Sequence, residues 1–276
     1  MLQLRRLAQA GFVLRGAGTA LVIDAFLSPR PDRLVPPTVA AEDLTGLDAI
    51  LATHEHRDHL DLASLPALAA ASPAAKVIVP APIVDRVIAA VGPDPGVGRI
   101  RADRAVGALV DREIVVGAAR IVPVPARHGV QMADAYSFGL ELSGGRHRFL
   151  GYVIQLAGVR VYHAGDTIRY DGMAERLREL RVDLALLPIN GRSAEREARG
   201  LVGNLDHAEA ADLAADAGIP AMMPMHHDTI AGNTGSVEDL RAYVARHHPR
   251  LTVVELAPFT ELAWPPVTIP DRHEVR

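Results

Sequence analysis

Apolar residues along the chain follow two rhythms, a strand-like one of short alternating or continuous runs and a helix-like one of Ala- and Leu-rich stretches. Over residues 2–26, two apolar stretches flank Arg15-Gly16-Ala17-Gly18, a turn signature, which predicts an opening hairpin ending in a strand over 19–26. A second strand is predicted over 47–53. Alanine-rich stretches at 62–71 and 83–91 predict helices, with a short buried strand at 76–79 between them. The middle changes character: 112–125, 136–142 and 149–164 read as β-rich, with Gly144-Gly145 and Ala157-Gly158 at turn positions.

Beyond 164 the alternation resumes. Helices are expected over 172–180, 206–217 and 236–247, and strands over 182–189, 221–225 and 251–256. Asp206 with Glu209, and Ser236 with Asp239, have the three-residue spacing of helix N-terminal capping pairs. Strands and helices in both halves, with no linker or internal repeat, predict one α/β domain over 1–276: two mixed β-sheets face to face with helices outside. The proline-rich end, about 264–276, reads as a loosely attached tail.

Composition narrows the chemistry. The chain has 276 residues, 49% hydrophobic and 22% charged, the balance of an ordinary globular protein. Lys and Arg number 29 against 33 Asp and Glu, a net charge of -4 that gives no general pull toward nucleic acid or an anionic membrane. Cysteine is absent, so disulfides, thiolate ligands and a cysteine nucleophile are excluded, and any metal must be held by nitrogen and oxygen. No apolar run approaches the roughly 20 residues of a membrane span, and charges interrupt the N-terminal stretch, which together predict a cytoplasmic protein.

One segment concentrates ligand-type side chains. Thr53-His54-Glu55-His56-Arg57-Asp58-His59 follows a predicted strand and forms an H-x-H-x-D-H pattern. Period-two alternation sends His54 and His56 the same way, and a following helical turn swings Asp58 and His59 toward a second point nearby. A single short segment can so serve two ions; the alternative is a polar surface loop that happens to carry three histidines.

This motif resembles that of the metallo-β-lactamase superfamily, and the resemblance runs over nearly the whole chain because later motifs occur in the same order. It implies a four-layer αββα sandwich and further ligands. His128 then corresponds to the third histidine on a first metal, Asp166 in Tyr162-His163-Ala164-Gly165-Asp166-Thr167 to the bridging carboxylate, and His226 to the last histidine on a second metal. His226 and His227 compete for that last role. The pattern P-x-H-[aromatic]-x-[ST] places His226 at the ligand and His227 at the aromatic. His163 takes a packing position, and His147, His247, His248 and His273 read as surface residues.

Within the superfamily, the segment Leu187-Pro188-Ile189-Asn190-Gly191-Arg192, with Arg196, Gly203-Asn204, the stretch 209–214 and residues 226–233, resembles the L-ascorbate-6-phosphate lactonase group. That resemblance implies a lactonase acting on a small anionic sugar lactone through a hydroxide shared by two divalent ions, Mn2+ or Zn2+. Asp58 and Asp166 are then the catalytic carboxylates. Asn190, Arg192, Arg196, Asn204 and His227 are the candidate substrate-binding residues, the arginines for an anion and the amides for hydroxyls. The arginine loop has a plainer alternative, since Arg192, Glu195, Arg196 and Glu197 can pair with one another at a surface.

Two other functions stay open. The same two-metal chemistry would serve a small phosphodiester, and a metal-binding protein without catalysis, a sensor or scaffold, is the rival from another class. Net charge, an aromatic content of 4% and the lack of a basic module argue against a nucleic-acid partner. The expected partner is a small-molecule substrate, and self-association into a homo-oligomer is compatible with the sequence.

Overall fold

The computed structural model describes residues 1–90, 103–139 and 143–265. The first sheet contains β1 (Leu2–Ala8), β2 (Gly11–Gly16), β3 (Thr19–Ile23), β4 (Ala49–Leu51), β5 (Lys76–Pro80) and β6 (Ala105–Ala108). The second contains β7 (Ile114–Val116), β8 (Ala119–Pro125), β9 (Leu150–Leu156), β10 (Val159–His163), β11 (Leu184–Pro188), β12 (Ala221–Met225) and β13 (Thr252–Val253). A last strand, β14 (Glu261–Trp264), returns to the edge of the first sheet, giving the orders β14-β1-β2-β3-β4-β5-β6 and β13-β12-β11-β10-β9-β8-β7.

Each sheet begins as an antiparallel meander and continues with parallel strands: β3, β4, β5 and β6 in the first, β10, β11, β12 and β13 in the second. This repeated layout has no counterpart in the sequence. In β3 every residue is buried, because alternate side chains face different apolar layers. Leu21 and Ile23 join Phe12, Leu14, Leu51, Ile121, Leu150 and Ile154 between the sheets. Ala20 and Val22 face outward, against a cluster holding Leu65 and Leu68 of α1 (Leu65–Ala71) and Val87 of α2 (Val84–Ala90). Each buried Leu, Ile or Phe stabilises the sandwich by about 1.5–3 kcal/mol.

On the far side, α3 (Met173–Glu179), α4 (His207–Asp216) and α5 (Val237–His247) pack buried side chains such as Leu177, Leu213 and Leu240 against the second sheet. The expected capping residues act as such. Asp206 accepts from the backbone N–H of Glu209 and Ser236 from that of Asp239. The architecture is the predicted sandwich, helices outside two seven-stranded sheets.

Three expectations need correction, and two strands went unread. The opening apolar stretch is two strands, because Ala8 and Gln9 take positive φ (111° and 50°) and turn the chain back with no glycine or proline at either of those positions, Gly11 only closing the turn opposite Ala8. The 136–142 segment is not a strand where described: Tyr136 has φ 58° and only Ser137 bridges, to His128, while 140–142 lie outside the described residues. β6 and β14 gave no readable signal, being four residues each and supported by their neighbours rather than by their own pattern. Trp264, read as the start of the tail, is buried and paired with Leu2; residues 266–276 lie outside the described residues.

Candidate metal centre

The H-x-H-x-D-H segment leaves the C-terminal end of β4. The carbonyl of His56 accepts from the N–H groups of His59 (3.0 Å) and Leu60 (2.7 Å), closing the helical turn that separates Asp58 and His59 from His54 and His56. Asp61 fixes the exit, accepting from the backbone N–H of Leu27 and Ser28 and from the hydroxyls of Ser28 and Ser64. His128 follows β8, Asp166 follows β10 and His226 follows β12. Gly165 must be glycine: its φ is +60° and a Cβ would meet Thr53 Cβ at 2.7 Å and Leu150 O at 2.9 Å.

The side chains converge in two groups, His54, His56, His128 and Asp166 in one, Asp58, His59 and His226 in the other, each with its ligand atoms within 4.8 Å of one another. Asp166 reaches both. Its Oδ2 lies 3.6 Å from His128 Nε2 and 3.4 Å from His226 Nε2, and its Oδ1 lies 3.2 Å from His59 Nε2. His226 Nε2 is also 3.3 Å from Asp58 Oδ2. The structure therefore brings His226 into the cluster and leaves His227 outside it.

The cluster's internal pairing is incomplete. His59 Nε2 and Asp166 Oδ1 are close but not aligned for a hydrogen bond, and both are buried without a partner. Leaving such atoms unpaired costs about 1–3 kcal/mol each. An all-nitrogen and oxygen set with lone pairs converging on common points suits divalent cations, so the residues fit the metal that the motif implies.

The field inside the cluster is uneven. Burial, then the neighbouring His59 and His56, pushes the His54 pKa well down, and burial pushes His128 down to about 3. Burial also disfavours charge on His59 and His226, but Asp166 outweighs it, together with Asp24 and Asp58 for His59 and with Asp58 for His226, and both are raised. Burial would raise Asp58 and Asp166; the cluster histidines outweigh it and hold both carboxyls well below the usual range.

A cavity of about 350 Å³ opens onto Asp58, Asp166, His56 and His226. Its wall carries three arginines, Arg30, Arg57 and Arg199, with Asn233, Val130 and residues 200–202. Arg30 is neutralised by Asp32 through two hydrogen bonds. Among the described residues Arg57 meets only Ser28 Oγ and Pro29 O, at 3.4 and 3.3 Å, and the exposed Arg199 guanidinium has no ion pair or hydrogen bond.

A family profile described as the beta-lactamase superfamily domain matches residues 19–227, from β3 through the His226 motif. The chain belongs to the metallo-β-lactamase superfamily. Among its relatives, a "UPF0173 metal-dependent hydrolase" of Thermococcus onnurineus is 32% identical over 232 residues, 83% of this chain and 86% of that protein. A like-named protein of Pyrococcus abyssi is 28% identical over 265 residues, 95% of this chain and 99% of that one. Among solved structures, Igni18, a metallo hydrolase of Ignicoccus hospitalis, superimposes with a TM-score of 0.69 at 20% identity, covering 95% of this chain and 97% of that one. The protein is thus a metal-dependent hydrolase of this superfamily, with a His/Asp cluster for divalent metal.

In this member of the superfamily, the residues expected to bind substrate sit elsewhere. Arg192 donates to both oxygens of Glu209 and to Asn204 O, and Arg196 donates to the carbonyls of Asn190 and Thr234. These arginines line a groove beside the metal cavity, and Arg199 borders both. Asn204 donates to Asn190 Oδ1 and Asn190 to Asn233 Oδ1, a buried amide chain of which only Asn233 reaches the cavity. His227 is buried beside Arg6 and Asp228, and burial, then Arg6, pushes its pKa down to about 4. His163 donates through Nε2 to Ala10 O and accepts at Nδ1 from Gly165 N–H, a structural role as expected.

Other residues at the site escaped the sequence. Asp24, at the end of β3, accepts from Thr53 N–H and Thr53 Oγ1 and contacts His59 Nδ1. A lone acid ending an otherwise apolar strand, the one before the strand that leads into the histidine motif, was the available signal. Glu55, inside the motif, is buried and paired with Arg86 and Arg148. Gln9, in the β1–β2 turn, touches both Asp58 and His226.

Proposed function

We propose that the cluster holds two divalent ions, manganese or zinc, and that the protein hydrolyses a small anionic ester, with a sugar-phosphate lactone as the leading substrate class. The observation that carries this reading is Asp166, whose two oxygens reach the two ligand groups at the floor of a cavity whose wall holds two arginines with no carboxylate partner among the described residues. The volume, about 350 Å³, suits a small molecule. The lactone itself rests on the resemblance of the 187–233 segments to the lactonase group.

Divalent ions in such a site lower the pKa of water toward neutrality and polarise a carbonyl as Lewis acids. The chain's own residues do the rest. Arg57 and Arg199 grip the substrate's anionic end, the task first assigned to Arg192 and Arg196. Asp58 and Asp166, the carboxylates facing the cavity, take up the proton that the attacking water loses and return it to the departing alkoxide. His54, His56, His59, His128 and His226 hold the cations, and the buried sheets behind them keep the floor dry.

The test is a parallel hydrolysis screen of manganese-loaded and zinc-loaded protein on phosphorylated lactones, their unphosphorylated counterparts and small phosphodiesters. Turnover is expected on the phosphorylated lactones, with Arg199→Ala raising KM only for the anionic member of each pair. Turnover confined to phosphodiesters would replace the lactone, and no turnover on any substrate with metal bound would favour a sensor or scaffold.

A further inference from the structure

Among the described residues Gln9 has the one side-chain amide that contacts the ligand atoms at hydrogen-bond distance, and its environment is unusual in three respects. It is completely buried, its backbone is left-handed with φ +50°, and its Oε1 has no hydrogen-bond partner. Strain of this kind in a non-glycine residue persists only where the surroundings enforce it. Here the enforcement comes from the His226 loop: Gln9 N–H donates to Thr229 Oγ1 at 2.7 Å and Gln9 O accepts from His226 N–H at 3.0 Å. His226 is itself left-handed, with φ +56°. Two strained backbones are thus clasped together with their side chains in contact.

The side-chain amide stands 2.7 Å from Asp58 Oδ2 and 2.9 Å from His226 Nε2 through its Nε2. Those are ligand-to-ligand spacings. Donors bonded to one divalent cation at about 2.0–2.2 Å lie roughly 3 Å apart along the edges of the coordination shell. The amide is therefore a neighbour of Asp58 and His226 on the same shell as much as it is a hydrogen-bond donor to them. Once His226 Nε2 spends its single lone pair on a cation, the N–H that meets it loses that acceptor and keeps only the remaining lone pair of Asp58 Oδ2. A half-turn of the amide exchanges Nε2 for the unpartnered Oε1 in nearly the same place, and the buried oxygen then gains the cation as a partner.

We propose that Gln9 is a ligand, through its side-chain oxygen, of the divalent cation held by Asp58, His59 and His226. A neutral amide oxygen adds a hard donor without adding charge, so it raises coordination number and favours manganese over zinc at that position. This rests on the reading of the cluster as a metal centre.

The experiment is calorimetric titration of the chelator-stripped full-length protein with Mn2+ and with Zn2+, for the wild type, Gln9→Met and Gln9→Glu, with chelator-treated melting curves to show that each variant folds. Gln9→Met keeps the bulk and removes the oxygen; one of the two Mn2+ binding events is expected to weaken tenfold or more, with a smaller loss for Zn2+. Gln9→Glu keeps the oxygen and is expected to retain or tighten that event. If Gln9→Glu weakened binding as much as Gln9→Met, the amide would be an N–H donor to Asp58 and the proposal would fall, as it would if Gln9→Met bound both ions like the wild type. A wild type that bound no ion would instead remove the metal centre itself.

Discussion

Asp24 Oδ2 and His59 Nδ1 lie 2.7 Å apart, both wholly buried, with the other face of the imidazole turned toward Asp166. A carboxylate behind a ligating histidine fixes its tautomer and raises its basicity, leaving Nε2 free for a cation. The same carboxylate accepts from the backbone and hydroxyl of Thr53, the residue that leads into His54. Asp24 therefore couples the end of β3 to both halves of the motif.

Asp24→Asn should weaken divalent-cation binding by about 10–100-fold and also lower stability by about 1–3 kcal/mol, since Thr53 loses a charged acceptor. Metal titration and melting in chelator measure the two effects separately. Unchanged affinity would show that His59 is oriented by other contacts.

Proton competition should distinguish the two ligand groups. His59 and His226 have raised pKa values, so in the metal-free protein they hold protons to higher pH than a free imidazole, whereas His54 and His128 are pushed down and stay neutral. A cation entering beside Asp58 must displace protons from His59 and His226, and its affinity should already fall as pH is lowered through the range above that of a free imidazole. Binding at His54 and His128 meets no such competition from those two rings. Calorimetry in buffers of different ionisation enthalpy counts the protons released; equal release in both events would contradict this assignment.

The arginines divide by what they touch. Arg192 is committed to Glu209 in a half-exposed pair, so Arg192→Ala should cost no more than about 1 kcal/mol of stability and leave KM unchanged. Arg199→Ala removes a cation with no carboxylate partner at the cavity wall, and KM for an anionic substrate should rise about tenfold or more. Steady-state kinetics on matched charged and uncharged substrates reads the difference, and a KM effect at Arg192 alone would return the anion site to its loop.

Asp58→Ala should abolish turnover while leaving the melting temperature of the chelator-treated protein near normal. Asp58 lines the cavity at the end of a helical turn, away from the apolar layers that hold the sheets together. A variant unable to fold would make the site structural.

Much of this was legible in the sequence because it is local. The H-x-H-x-D-H spacing carries its own geometry, strand end followed by a helical turn, and the apolar runs ahead of His128, Asp166 and His226 mark strands that end at one edge. What stayed hidden is long-range. Nothing around Arg192 says that Glu209, seventeen positions on in the second helix that follows, will take its guanidinium, nor around Arg199 that it will reach the metal cavity. Gln9 and Asp24 lie in turns whose left-handed backbones are imposed by partners more than twenty residues away. Short strands such as β6 and β14 owe their form to pairing with β5 and β1.

Metal content per folded chain tests the central claim most directly. Stripped protein saturated with Mn2+ or Zn2+, freed of excess ion and assayed by elemental analysis, should carry two ions per chain, one held by His54, His56 and His128, the other by Asp58, His59 and His226, with Asp166 between them. A reproducible single ion would contradict the shared role given to Asp166, and a chain that retained none would contradict the metal centre altogether.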